Sequence, residues 1–130
     1  MFLAIAKPKH IVTKDVAAIK MTEVRLHISV EQNNQMFITA ERIDLLQKVQ
    51  TTGSLHAASK ELKISYQSAW NIIHSINELA PAPVVVKQRG GKGGGGAELS
   101  DYGKLLLTEY SFIQKQVEVF NKQLNTEINI

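Results

Sequence analysis

The sequence contains no cysteine among its 130 residues, so neither a disulfide framework nor a thiolate metal site can form. The four histidines do not fall at the paired spacings of metal ligands. His74 and Glu78 lie four residues apart, but that spacing is far more typical of a solvated helix face than of a metal site. We therefore expect neither a metal nor any other cofactor.

Long apolar runs are also missing, because no stretch approaches the roughly 20 apolar residues that a membrane-spanning helix needs. The opening MFLAIAK is too short for the apolar part of a signal peptide, and Pro8 interrupts it. These absences predict a cytoplasmic protein without membrane contact. The formal net charge of +3 mildly favours an anionic partner such as nucleic acid.

The chain length indicates one small globular protein with a single core. Residues 1–20 show no hydrophobic period and no helix cap, so we interpret them as a flexible N-terminal arm or leader, with Met21 as an alternative start. Residues 21–99 are predicted to form a winged helix-turn-helix domain, and residues 100–130 a long C-terminal dimerisation helix. The predicted fold class is mainly α with a small β component.

Alternating residues and helix caps define the predicted elements. Strict alternation of apolar and polar residues over 24–31 predicts a strand, which pairs with a second strand across a turn at Asn33 and Asn34. Cap residues and helix breakers then set the limits of the helices. The predicted elements are strands over 24–31 and 36–39, helices over 40–52, 55–62 and 66–79, strands over 84–89 and 97–99, and a final helix that Ser100 caps.

The final predicted helix carries two apolar stripes. Residues of one stripe recur at spacings of four and three, as in the seam of a coiled coil. One small domain cannot easily cover two stripes along a helix of about 25 residues, so we predict a homodimer. The alternative is a monomer whose core buries one of the two faces. The predicted dimer seam consists of Leu106, Tyr110, Ile113, Val117, Phe120 and Leu124. The second stripe, which is predicted to pack on the rest of the domain, consists of Leu105, Phe112 and Val119.

A short helix, a tight turn, a second helix and a hairpin together are the layout of a winged helix-turn-helix, a DNA-binding motif. On a helical wheel, the exposed face of the helix over 66–79 bears amide, hydroxyl and aromatic groups. Exposed amides can bond adenine edges bidentately in the major groove. The candidate base-readout residues are Tyr66, Gln67, Ser68 and Asn71, of which Gln67 and Asn71 are expected to reach the bases. Trp70 borders the apolar stripe and is equally explained as a packing residue.

Phosphate contacts are expected from a second set of residues around that helix. Between residues 84 and 97 there are three basic residues and no acid, so the second hairpin is a local positive prong. Glycines at its tip would let main-chain N–H groups approach a phosphate closely. The candidate backbone contacts are Lys60, Lys63, Ser65, Lys87, Arg89, Gly91, Lys92, Gly93 and Gly94.

An enzyme is the alternative that the glycine run raises. Gly91, Gly93 and Gly96 satisfy the G-x-G-x-x-G spacing of a dinucleotide site, but that site needs a parallel βαβ unit and an acidic residue about 20 positions on. Here the flanking strands form a hairpin, and position 116 is Gln. A Walker loop is excluded because Gly93 follows Lys92 where Ser or Thr is needed. We expect no catalysis.

Two segments resemble a known family. GSLHAASKELKISYQSAW and GGKGGGGAELSDYGKLLL are similar to the N-terminal DNA-binding domain of the ModE-type molybdenum-responsive transcription regulators, which share a LysR-like winged helix-turn-helix. The resemblance covers about residues 22–124. The matching positions are Ser65, Tyr66, Ser68, Ala69 and Trp70 in the helix, and Gly90 to Gly96 with Lys92 in the wing.

The resemblance implies a homodimer, held by the long final helix, that binds double-stranded DNA at an inverted-repeat operator. In full-length members of that family, Mop-type domains bind molybdate. This chain ends at Ile130, so we expect no molybdate sensing by the chain itself, and a separate effector-binding protein becomes a candidate partner. Lys63 also departs from the family, which commonly has Gly at that turn position. The alternative function is a winged helix used for architectural DNA binding or for protein contacts.

Overall fold

A computed structural model describes residues 22–87 and 96–130 of the chain. Within these ranges the fold is mainly α with two small antiparallel hairpins, as predicted. The predicted arm over residues 1–20 and the predicted wing tip lie outside the described residues. The elements are β1 (Ser29–Gln32), β2 (Gln35–Thr39), α1 (Ala40–Thr52), α2 (Leu55–Glu61), α3 (Tyr66–Leu79), β3 (Val85–Lys87), β4 (Ala97–Leu99) and α4 (Asp101–Glu127).

The first hairpin has the predicted two-residue turn, in which Asn33 and Asn34 both adopt positive φ, 52° and 62°. However, β1 begins at Ser29, five residues later than predicted. Ser29 pairs with Thr39, and the chain then turns into α1, so the residues before Ser29 have no strand to pair with. They lie against α4 instead, where the Asn125 side chain accepts from the Val24 N–H at 2.6 Å and donates to the Val24 carbonyl at 2.9 Å.

The helix limits follow the caps. Thr39 caps α1 by accepting from the Arg42 N–H, and Gly53 ends this helix in a left-handed conformation with φ of 70°. Ser54 caps α2 in the same way. Between α2 and α3, Lys63 takes a left-handed φ of 59°, which reverses the chain direction within a short turn.

One hydrophobic core joins the three short helices to both hairpins. The largest fully buried side chains include Leu45 and Leu46 of α1 and Ile73 and Ile76 of α3. Residues of both hairpins, among them Phe37 and Leu99, complete the core. Burying each such side chain stabilises the fold by about 2 kcal/mol, so α3 is held firmly on its apolar face.

In the second hairpin, β3 begins at Val85, one residue later than predicted, and β4 spans Ala97–Leu99 as predicted, while residues 88–95 lie outside the described part of the chain. Beside the Lys87–Ala97 pair, Gly96 forms a bridge with Ser54, and the Ala97 N–H donates to the Gly53 carbonyl at 2.9 Å. We call the hairpin from Val85 to Leu99 the wing. Its second strand therefore starts beside the first residues of α2.

The structure orients the two apolar stripes of α4 differently from the prediction. Leu105, Phe112 and Val119 are 49%, 61% and 67% exposed, so the prediction that they pack on the domain is wrong. Tyr110 is 3% exposed and belongs to the core, and Leu106 packs against it. Burial and the nearby Asp44 carboxylate raise the pKa of Tyr110 above its usual range.

Gly103 explains this rotation of α4. It lies two helical turns before Tyr110, on the same face, and a Cβ at Gly103 would come within 2.3 Å of the Val84 carbonyl oxygen. The missing side chain lets this face of α4 approach the core closely. The remaining predicted seam residues, which are half-buried in the single chain, are Ile113, Val117, Phe120 and Leu124.

Candidate nucleic-acid interface

The outward face of α3 presents two amides side by side. Gln67 and Asn71 are both exposed, and Gln67 Nε2 donates to Asn71 Oδ1 at 3.0 Å. The opposite face of the helix, with Ala69, Ile73 and Ile76, is buried in the core. The two predicted base-reading residues therefore lie side by side on the exposed face of a rigid helix. They are one helical turn apart, within the first two turns.

The N-terminus of α3 is also exposed. Ser65 is the N-cap, and its hydroxyl accepts from the Ser68 N–H at 3.0 Å and contacts the Ser68 hydroxyl at 2.8 Å. The unpaired N–H groups of a helix N-terminus favour an anion such as phosphate. Ser65 and Ser68 are thus exposed polar groups at this helix N-terminus, next to Gln67.

Aromatic side chains flank the amides in a row that crosses two helices. The rings of His56 and Tyr66 meet edge to face with centroids 5.6 Å apart, and those of Tyr66 and Trp70 with centroids 6.2 Å apart. Trp70 is half-buried against the core, as its place beside the apolar stripe indicated. Sequence reasoning missed His56, since its partner Tyr66 lies ten residues away on another helix and no periodicity relates them.

Three predicted phosphate-binding lysines lie around this face. Lys60 is in the last turn of α2, Lys63 in the turn before α3, and Lys87 at the end of β3, and all three are exposed. These lysines do not take part in the ion pairs of Arg25 with Glu23 and of Lys48 with Glu61. The remaining predicted contacts lie outside the described residues, namely Arg89, Gly91, Lys92, Gly93 and Gly94.

Other kinds of site find little support in this part of the chain. Over the described ranges, no group of three or more His, Asp or Glu side chains is arranged to hold a metal ion. No helix in these ranges is long and apolar enough to cross a membrane. The exposed polar and cationic groups around α3 therefore form the candidate functional site.

Comparison with known sequences identifies relatives over most of the chain. A transcriptional regulator ModE of Haemophilus influenzae is 37% identical over 99 residues, which are 76% of this chain and 38% of the relative. A molybdenum transport protein ModE of Azotobacter vinelandii is 32% identical, over 84% of this chain and 41% of the relative. A DNA-binding transcriptional dual regulator ModE of Escherichia coli is 37% identical, over 76% of this chain and 37% of the relative. The chain thus spans about two fifths of the length of these relatives.

Comparison with solved structures supports the fold. The crystal structure of a LysR family transcriptional regulator superposes on 71% of this chain and 29% of its own chain, with a TM-score of 0.52 and 15% sequence identity. No protein-family model matches the sequence. At this identity the likeness shows a LysR-like winged-helix fold and nothing about the ligand.

Proposed function

Since this chain is a homologue of the ModE transcriptional regulators over most of its length, we propose that it binds double-stranded DNA sequence-specifically, as a homodimeric transcription regulator. A DNA-binding regulator works where the chromosome is, so the proposed location is cytoplasmic. The proposed role is non-catalytic, in keeping with relatives that are named as regulators.

One observation carries this proposal, namely the exposed amide pair of Gln67 and Asn71 on a helix whose other face is buried. An amide that reads an adenine edge must project from a rigid element into the major groove, and α3 satisfies that requirement. A face used mainly for protein contacts would instead be expected to carry apolar groups at these two positions.

Lysines around α3 fit the role of phosphate contacts. Lys60 and Lys63 precede α3 in the chain, and Lys87 is the last residue of β3 in the wing; all three are exposed. Backbone contacts fix the orientation of a protein on the duplex, and base contacts then select the sequence. We propose that Arg89 and Lys92 extend these contacts along the wing, with main-chain N–H groups from Gly91, Gly93 and Gly94.

The proposed homodimer forms through α4 and places two copies of α3 on an inverted repeat. Because Leu106 and Tyr110 face the core of their own chain, the proposed seam is reduced to its four later residues. Those four follow one another at spacings of four and three along the end of α4, as two helices in a coiled coil require. The four seam residues are Ile113, Val117, Phe120 and Leu124.

Selection of bound fragments from random DNA tests the proposal. We expect enrichment of an inverted repeat, and gel shifts should then show much tighter binding to the selected duplex than to a random duplex of equal length. A ratio near one would instead indicate architectural DNA binding, and no binding to either duplex would favour a protein-contact module. Repeating the selection with molybdate should change nothing, whereas an effect would reveal an oxyanion site within these 130 residues.

Salt dependence provides a second measurement on the same complexes. If the dimer neutralises about six phosphates, the logarithm of the affinity should fall with the logarithm of salt concentration at a slope near −5. An affinity that does not change with salt would contradict the proposed phosphate contacts.

A further inference from the structure

A cation–π contact joins strand β3 of the wing to α3. Lys87 Nζ lies over the face of the Trp70 ring, 5.3 Å from its centroid. Lys87 is the last residue of β3, and Trp70 is adjacent in sequence to the amide Asn71. We propose that Trp70 is a positioning residue, which holds Lys87 and thereby strand β3 of the wing at a fixed offset from the base-reading amides.

The surroundings of Trp70 give it the rigidity for this role. Its inner side packs against the hydrophobic core, so the indole cannot rotate freely. Tyr66 meets it edge to face with an interplanar angle of 88°, and His56 supports Tyr66 in turn. The indole is therefore held by the core and by this aromatic row, and its π face is available to the ammonium group.

The contact affects Lys87 in two ways. The electron-rich ring face attracts the ammonium group, so the long side chain populates fewer conformations before it meets DNA. An ammonium group has three N–H donors and can contact a phosphate while it remains over the ring. The phosphate contact of the wing is thus set in register with Gln67 and Asn71 before binding.

The contact can be measured without DNA. Protons held over an indole face are shifted upfield, so we expect the side-chain CH₂ signals of Lys87 to lie upfield of those of the other lysines in a proton–carbon NMR spectrum. The signal that is absent from the spectrum of the Lys87→Arg variant is thereby assigned to Lys87. Trp70→Leu should return the signal to the ordinary lysine position, and Trp70→Phe, which retains a ring face, should return it only in part. A Lys87 signal at the ordinary position in the unaltered protein would overturn the proposal.

The functional consequence rests on the proposed DNA binding and is tested by a double-mutant cycle on the selected duplex. Lys87→Met and Trp70→Leu should each weaken DNA binding roughly two- to fivefold. The double variant should bind DNA no more weakly than the single variant with the lower affinity. Both single variants should lower the salt slope by about one, because Trp70 acts through Lys87. A purely structural Trp70 would leave the slope unchanged.

Lys60→Met is the matched control, because it removes a charge of the same kind at a site distant from Trp70 along the chain. Its effect should add to that of Trp70→Leu, and additivity of Lys87→Met with Trp70→Leu would overturn the positioning role. If the unaltered protein binds no duplex while the NMR shift is present, the proposed function fails and the contact itself stands. If the NMR shift of Lys87 is present but the effects of Lys87→Met and Trp70→Leu on binding are additive, Trp70 has only a packing role and the proposal is overturned.

Discussion

At the scale of the residue, the amide pair Gln67 and Asn71 is the part of the α3 surface that we propose reads the bases. Each amide has donors and an acceptor, and their mutual hydrogen bond orients both side chains before any ligand arrives. Such an arrangement suits bidentate recognition of a base edge. It also couples the two residues, so their contributions to binding should not be independent.

We predict that Gln67→Ala relaxes base preference in the selected site and weakens binding to the selected duplex by about 1 to 3 kcal/mol. Asn71→Ala should have a similar effect, and the double variant should lose less than the sum of the two. Gel shifts on duplexes altered one base pair at a time measure this. His74→Ala, one turn further along the exposed face, is the control and should leave the preference unchanged. Equal loss on all sequences would contradict base readout by Gln67.

Gly103 acts at the same scale but on stability. Alanine is normally preferred to glycine inside a helix by about 1 kcal/mol, yet a Cβ here would clash with the Val84 carbonyl oxygen at 2.3 Å. We predict that Gly103→Ala lowers the free energy of unfolding by about 2 kcal/mol, measured by urea titration.

Gly53→Ala is the comparison for that experiment. A Cβ at Gly53 meets no atom within 4 Å, but its φ of 70° is left-handed, so the loss should be about 1 kcal/mol and should come from backbone strain. A Gly103→Ala variant more stable than the unaltered protein would show that α4 does not approach the core as closely as described.

At the scale of the element, the turn between α2 and α3 combines a backbone requirement with a charge. Lys63 has a φ of 59°, a conformation that suits glycine, and it presents an exposed ammonium group beside the N-terminus of α3. The resemblance to a family that commonly has Gly at this position is consistent with that geometry. The left-handed backbone at Lys63 lowers the stability of the fold, and we propose that its ammonium group in return strengthens DNA binding.

We predict that Lys63→Gly raises the free energy of unfolding by about 0.5 kcal/mol, because the relieved strain exceeds the entropy added to the unfolded chain. The same variant should bind DNA more weakly and lower the salt slope by about one. Lys60→Gly removes an equal charge from the helical last turn of α2 and should instead lower stability by about 1 kcal/mol. Equal stability changes in the two variants would argue against strain at Lys63.

At the scale of the whole molecule, α4 determines how two chains would meet. Its first turns face the core of their own chain, and the later turns leave Val117 half-buried and Val119 exposed. These two valines point to nearly opposite sides of the helix, since consecutive residues differ by about 100°. They offer a matched pair for locating the seam.

We predict that Val117→Lys dissociates the proposed homodimer, with a loss of about 3 kcal/mol, because it buries an unpaired charge in the seam. Val119→Lys, the same substitution on the other side of α4, should leave the dimer intact. Analytical ultracentrifugation measures both, and circular dichroism confirms that each variant is folded. The reverse result would place the interface on the exposed stripe of Leu105, Phe112 and Val119.

Features that depend on neighbouring residues along the chain could be read from the sequence. Caps such as Thr39 and Ser65 set the helix starts, the Asn33–Asn34 pair set the turn, and the apolar period of α3 identified its exposed amides. These features follow from local backbone sterics and hydrogen bonding, which act within a few residues. The division of the chain into an arm, a winged domain and a dimerisation helix stays a prediction.

The sequence by itself determined the element types, the helix-turn-helix and the identity of the groups on its outer face, because hydrophobic periodicity and helix capping depend only on residues close together along the chain. Only the tertiary structure decided which side of α4 faces the core, that the segment before Ser29 lies against α4, and that Lys87 meets Trp70. The physical reason is that each of these depends on contacts between residues distant along the chain, such as Gly103 with Val84 and Asn125 with Val24. Periodicity reports that a face is apolar or that a segment is extended, but it does not report which distant surface covers it.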